Sequence, residues 1–109
     1  MAKASQASAN SSESEDRHWA DLFATIAALQ TPQETQVFLR DLCTRAELDA
    51  MAHRWQVAQL LEEGLPYLEV AQKAQASTTT VTRVAQWLRN GEGGYRLALS
   101  RRAAKAKRA

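Results

Sequence analysis

The stretch YLEVAQKAQASTTTVTRVAQWL, Tyr67 to Leu88, leaves this chain little freedom of fold. Val70 and Ala74 lie four apart, on one face of a first helix. Val81, Val84 and Leu88 recur at three and four, on one face of a second. Ala71 is small, where a crossing helix must come close. Ser77 can cap the second helix by accepting a backbone N–H of its first turn. The spacing predicts two short helices joined by a tight bend at Gln75-Ala76-Ser77.

The outward face of the second helix is then Thr78, Thr79, Thr82 and Gln86, with Arg83 at its edge. Threonine is a mediocre helix former. Four threonines between Thr78 and Thr82 are therefore a costly choice unless the face is used. Short hydroxyl and amide side chains can approach a major groove and bond base edges or phosphates. This is the pattern of a helix-turn-helix whose second helix reads DNA. Candidate DNA contacts are Tyr67, Gln72, Lys73, Thr78, Thr79, Thr82, Arg83, Gln86 and Arg89. Many such motifs carry glycine in the bend, and this one does not. A plain helical hairpin with a polar, solvated face fits the same spacing.

Charge placement bears on that choice. Residues 1–72 carry a balance of −6 and residues 73–109 one of +8, for the net +2 of the chain. The positive half begins inside the helix pair, which points to a polyanion partner.

The 109 residues are enough for one small domain. Aromatics make up only 6% and β-branched residues are scattered, so helices are favoured over strands. No run of apolar residues is long enough to span a membrane. The segment MAKASQASANSSESED has no apolar centre and does not read as a secretory signal. The single cysteine, Cys43, fits a reducing cytoplasm and reads as a small buried hydrophobe.

Residues 1–14 lack apolar area to bury and are expected to be a disordered segment. A helical domain is expected over residues 15–100. Trp19, Leu22, Phe23, Ile26 and Leu29 form an apolar stripe on its first helix, Glu15 to Gln30. Thr31-Pro32-Gln33-Glu34 signals the start of a second, with Thr31 as cap and Glu34 completing a capping box. Thr44 to Glu47 repeats the signature and opens a third helix to Glu63. Its apolar positions are Leu48, Met51, Ala52, Trp55, Ala58 and Leu61, and Gly64 is its C-cap candidate. Asn90 to Gly94 breaks the chain after the helix pair, and Tyr95 to Leu99 supply a last turn or two. Residues 101–109 form a basic tail, expected to be mobile until it meets phosphates. So much apolar surface on so few residues predicts a core shared between two copies, a homodimer.

No catalytic constellation stands out. His18 and His53 are far apart, neither at ligand spacing from a cysteine or carboxylate cluster, and His53 reads as a half-buried helix residue. Gly91, Gly93 and Gly94 follow a helix, so they are not a phosphate-binding loop. Neither an enzyme nor a metal protein is expected, and no cofactor is needed.

FLRDLCTRAELDAMAHRW, QLLEEGLPYLEVAQKAQASTTTVTRV and WLRNGEGGYRLAL together resemble the Trp repressor superfamily, closest to its YerC/YecD-type branch. Gly64, the TVTR of Thr80 to Arg83 and the GGYRL of Gly93 to Leu97 are the strongest anchors. The resemblance runs from about Phe38 to Arg101. It implies an all-α fold of about six helices per chain, in an intertwined homodimer. It also implies operator-type binding to double-stranded DNA, on a bacterial nucleoid, through Tyr67–Gln75 and Thr78–Asn90. The threonine and two arginines that help hold tryptophan in the repressor match Thr44, Arg54 and Arg83 here. Where the repressor has a glycine and a serine nearby, this chain has the larger Val84 and Trp87. These departures tell against a tryptophan corepressor and leave a possible effector pocket of Thr44, Arg54, Arg83 and Trp87. Trp87 is expected to fill it, with Arg54 over the indole face; an ordinary core or interface position is the alternative for that ring.

The expected protein is a DNA-binding transcriptional regulator, a repressor, with no tryptophan requirement. The alternative is a helical adaptor that uses its acidic half to bind other proteins.

Overall fold

Two threonines set where helices begin. Thr31 caps α2 (Pro32–Leu42), its hydroxyl accepting the Glu34 N–H at 3.1 Å. Thr44 caps α3 (Arg45–Glu62) with a full capping box. The Glu47 N–H donates to the Thr44 hydroxyl at 3.1 Å, and the Thr44 N–H donates to the Glu47 carboxylate at 2.8 Å. In α2 the box expected at Thr31 is shifted by one residue: the Glu34 carboxylate accepts the N–H of Gln30. The remaining helices are α1 (Ala2–Ala28), α4 (Tyr67–Ala74), α5 (Thr78–Asn90) and α6 (Gly94–Arg108). The structure, a computed structural model, describes residues 2–108; all its regular elements among them are helical.

The chain divides into two units, Met1–Cys43 and Thr44–Ala109. In the first, α1 does not start at Glu15 but runs back to Ala2, through most of the segment expected to be disordered. Residues 2–14 contain neither Gly nor Pro, so nothing there breaks a helix. Trp19 and Phe23 on the α1 stripe are each 61% exposed, and Val37 and Leu42 of α2 are exposed too. Cys43 is half-buried, and its N–H closes α2 on the Leu39 carbonyl at 2.9 Å.

The second unit holds the core. Val57 and Ala58 of α3, Val70, Ala71 and Ala74 of α4, and Val81 and Val84 of α5 are buried against one another. Burying each valine is worth about 1.5–3 kcal/mol. The alanines at the crossings let the helix backbones approach, which is why such short side chains fill the space. Trp55, Leu60, Leu61, Leu65 and Tyr95 close the margins. Trp55 and Tyr95 stack at 4° with centroids 6.5 Å apart, tying the start of α6 to α3. The expected α3 stripe included Met51 and Ala52, yet both are exposed, and Val57 is buried instead. Apolar residues lie on several sides of α3, so its own periodicity does not choose a face.

Glu63 is the C-cap of α3, and Gly64 follows it at φ +85°, a left-handed conformation that favours glycine. The last helix is also longer than expected. The turn or two around Tyr95 to Leu99 is the beginning of α6, which continues to Arg108, so residues 101–108 are helical. Its Ala, Lys and Arg residues are strong helix formers.

Candidate nucleic-acid interface

The bend between α4 and α5 is made without glycine. Gln75 takes the left-handed conformation itself, at φ 54° and ψ 43°. The Ala76 N–H then reaches the Ala71 carbonyl at 3.0 Å, closing the end of α4. Ser77 caps α5 as the spacing predicts, accepting the Thr80 N–H at 3.1 Å. Val81, Val84 and Ala85 are buried, which turns the opposite side of α5 outward.

That outward side carries Thr78, Thr79, Thr82, Arg83, Gln86 and Arg89, all exposed. The Thr82 hydroxyl donates to the Thr78 carbonyl at 2.9 Å. Its lone pairs are what it offers outward, which suits a donor such as an exocyclic base amine. On α4, Tyr67, Gln72 and Lys73 are exposed as well. Lys73 lies 3.6 Å from Glu69, so part of its charge is already answered. Arg89 donates to the Tyr67 hydroxyl at 2.9 Å, joining the far ends of the two helices.

Beside this surface lies a cleft of about 530 Å³. Arg54, Arg83 and Trp87 line it, and Thr44 does not. The hydroxyl of Thr44 is engaged in capping α3. Trp87, for which a filled pocket and an ordinary core or interface position were both open, is 62% exposed and forms one wall of the cleft. A Cβ at Gly91 would collide with the Trp87 carbonyl and lie 2.9 Å from the indole, so the ring sits over the end of its own helix. Val84 is 2% exposed, packed in the core cluster, and also lines the cleft. His53 and Tyr95 also line the cleft. His53 is exposed and not half-buried. Neither residue was singled out for this role in the sequence; Tyr95 carried the only signal, as the aromatic after a glycine pair.

The Thr44 N–H and then the Thr44 hydroxyl hold the Glu47 carboxyl below its ordinary pKa, against a smaller opposing effect of burial. Among the described residues, no group of three His, Cys, Asp or Glu side chains could hold a metal ion. No helix among them is long and apolar enough to cross a membrane.

The family model for Trp repressor protein matches residues 17–103. The chain belongs to the Trp repressor family. The chain is also similar to the uncharacterised protein YerC of Bacillus subtilis, 39% identical over 80 residues, covering 73% of this chain and 77% of YerC. A Trp operon repressor homolog of Actinobacillus succinogenes is 36% identical over 73 residues, covering 66% and 72%. The fold agrees: a TrpR-like protein from Eubacterium eligens superposes with a TM-score of 0.76 at 34% identity, covering 80% of this chain and 90% of that one. The Trp repressor family is one of DNA-binding transcription regulators, and α4 and α5 form the helix pair read from the sequence.

Proposed function

We propose that this protein is a sequence-specific transcriptional repressor that binds operator DNA through α4 and α5. The observation that carries this is the α5 face: threonines and arginines are turned outward by a buried valine stripe, in the basic half of the chain. Base contacts come from Thr78, Thr79 and Thr82, with Gln72 and Gln86 beside them. Phosphate contacts come from Lys73, Arg83, Arg89 and the basic α6 end. Salt-dependent binding to duplex DNA tests it, followed by a genome-wide binding map. Retention on neither heparin nor duplex DNA would favour the protein-adaptor reading.

The acting form is a homodimer in the cytoplasm, on the nucleoid. Trp19 and Phe23, each 61% exposed, and Val37, at 64%, are more apolar surface than a small soluble chain leaves bare. A two-fold dimer would present its reading helices to half-sites about 34–36 Å apart. The protein carries out no catalysis and needs no cofactor.

DNA binding is further proposed not to depend on tryptophan, because Val84 and Trp87 replace the glycine and serine of the repressor that this chain resembles. A second reading comes from the cleft. It is open, and His53, Arg54 and Arg83 line it with no carboxylate among the lining residues. That lining suits a planar anionic effector. Calorimetry with free tryptophan, paired with DNA titrations with and without it, separates the two.

A further inference from the structure

The guanidinium of Arg89 and the hydroxyl of Tyr67 meet at 2.9 Å across the open end of the α4–α5 pair. Between these helices, Val70, Ala71 and Ala74 share one buried cluster with Val81 and Val84. The outer ends are less enclosed: Tyr67 is 39% exposed, and Arg89 is exposed.

The bond has an uncommon balance of charge. The two ion pairs among the described residues are Lys73 with Glu69 and Arg96 with Glu62, each cation against a carboxylate. Arg89 is instead oriented by a neutral phenol, so its direction is fixed while its full charge remains. The phenolic oxygen accepts from Arg89, which leaves its own O–H to donate elsewhere. Accepting a bond from a cation also strengthens that O–H as a donor. Two donors on two helices are thereby held side by side, with no acid between them.

Their position matches a groove edge. Arg89 follows Thr78 by eleven residues and Thr82 by seven, so the three share one side of α5. Eleven residues of helix advance about 16 Å, more than the major groove width of about 12 Å. With Thr78 and Thr82 over the base edges, Arg89 falls at the rim, where phosphates lie.

We infer that Tyr67 and Arg89 form a single phosphate clamp spanning both helices of the motif, with the Tyr67 O–H and the remaining Arg89 N–H groups converging on one backbone phosphate of duplex DNA. This rests on the DNA-binding reading above. The clamp sets the position of the α5 face in the groove and distinguishes the pair from two independent contacts.

A double-mutant cycle on the full-length protein tests it, with Tyr67→Phe, Arg89→Gln and both, titrated into duplex DNA over a range of salt. Tyr67→Phe keeps the ring, and its melting temperature checks that the fold is retained. It should weaken binding about tenfold on every sequence, with the salt slope unchanged because no charge is lost. Arg89→Gln should weaken binding more and reduce the slope by about 0.9. In the Arg89→Gln background, Tyr67→Phe should cost less than threefold, because its partner and orientation are already gone. Arg89→Lys should restore the slope but not the coupling, since an ammonium lacks the fixed fork. Fully additive losses, or Tyr67→Phe binding like wild type, would overturn the clamp while leaving DNA binding intact. Wild-type protein that binds no duplex would overturn both.

Discussion

Gln75 should respond to substitution in the reverse of the usual order, with glycine the better residue. It stands at φ 54° and ψ 43°, in the bend where related helix pairs often carry glycine. For an L-residue that conformation costs about 1–2 kcal/mol. Glycine removes the strain but gains freedom in the unfolded chain, worth about 0.5–1 kcal/mol in the other direction. Gln75→Gly should therefore stabilise the protein by about 0.5–1 kcal/mol. At about 4–8 °C per kcal/mol, the melting temperature should rise by roughly 2–8 °C. Gln75→Val places a β-branched residue in the same conformation and should destabilise by about 1–2 kcal/mol. Gln75→Asn should lie between glycine and wild type, because asparagine tolerates left-handed backbone. The assay is thermal unfolding followed by circular dichroism at one protein concentration, held constant because assembly shifts the midpoint. A glycine variant less stable than wild type, together with a neutral valine variant, would refute the left-handed bend.

Thr79→Ala with Thr82→Ala should change sequence preference, whereas removing residues 101–109 should weaken binding to all sequences and flatten the salt slope, both read in parallel DNA titrations; equal loss on every sequence for the threonine pair would remove direct readout. The melting temperature should rise with protein concentration, and Phe23→Asp should abolish assembly and unfold the chain, with a folded monomer at micromolar concentration in sedimentation counting against a shared core. Calorimetry should find no saturable binding of tryptophan, and DNA affinity should be the same with and without it; tryptophan that tightens DNA binding would reverse the proposal. The Glu47 carboxyl is held below its ordinary pKa in the folded state, so its stabilisation is present above the unfolded carboxyl pKa and lost as pH falls through the folded value. Glu47→Gln should accordingly flatten the acid limb of a stability-against-pH curve, while an unchanged limb would mean the capping box carries no charge effect.

The sequence by itself determined the local rules of this protein. Thr31, Thr44 and Ser77 announced three helix starts, because a side-chain acceptor before an apolar period has few other uses, and the structure uses all three as caps. Val70, Ala74, Val81 and Val84 announced the buried faces of α4 and α5, since their spacing allows one inward side. The family was legible for the same reason: its motifs are short-range patterns of caps, small crossings and turns. Tertiary structure decided what local pattern left open. It chose Val57 over Met51 on α3, a helix with apolar residues on several sides. The helices continue to Ala2 and Arg108, where low hydrophobicity suggested disorder but no residue breaks the backbone. Trp87 became an exposed wall, because the neighbouring Val84 and Ala85 take the inward side of α5. Tyr67 was brought to Arg89, 22 residues away, by the bend at Gln75. Contacts of that kind depend on the angle between two helices, and neither helix encodes that angle alone.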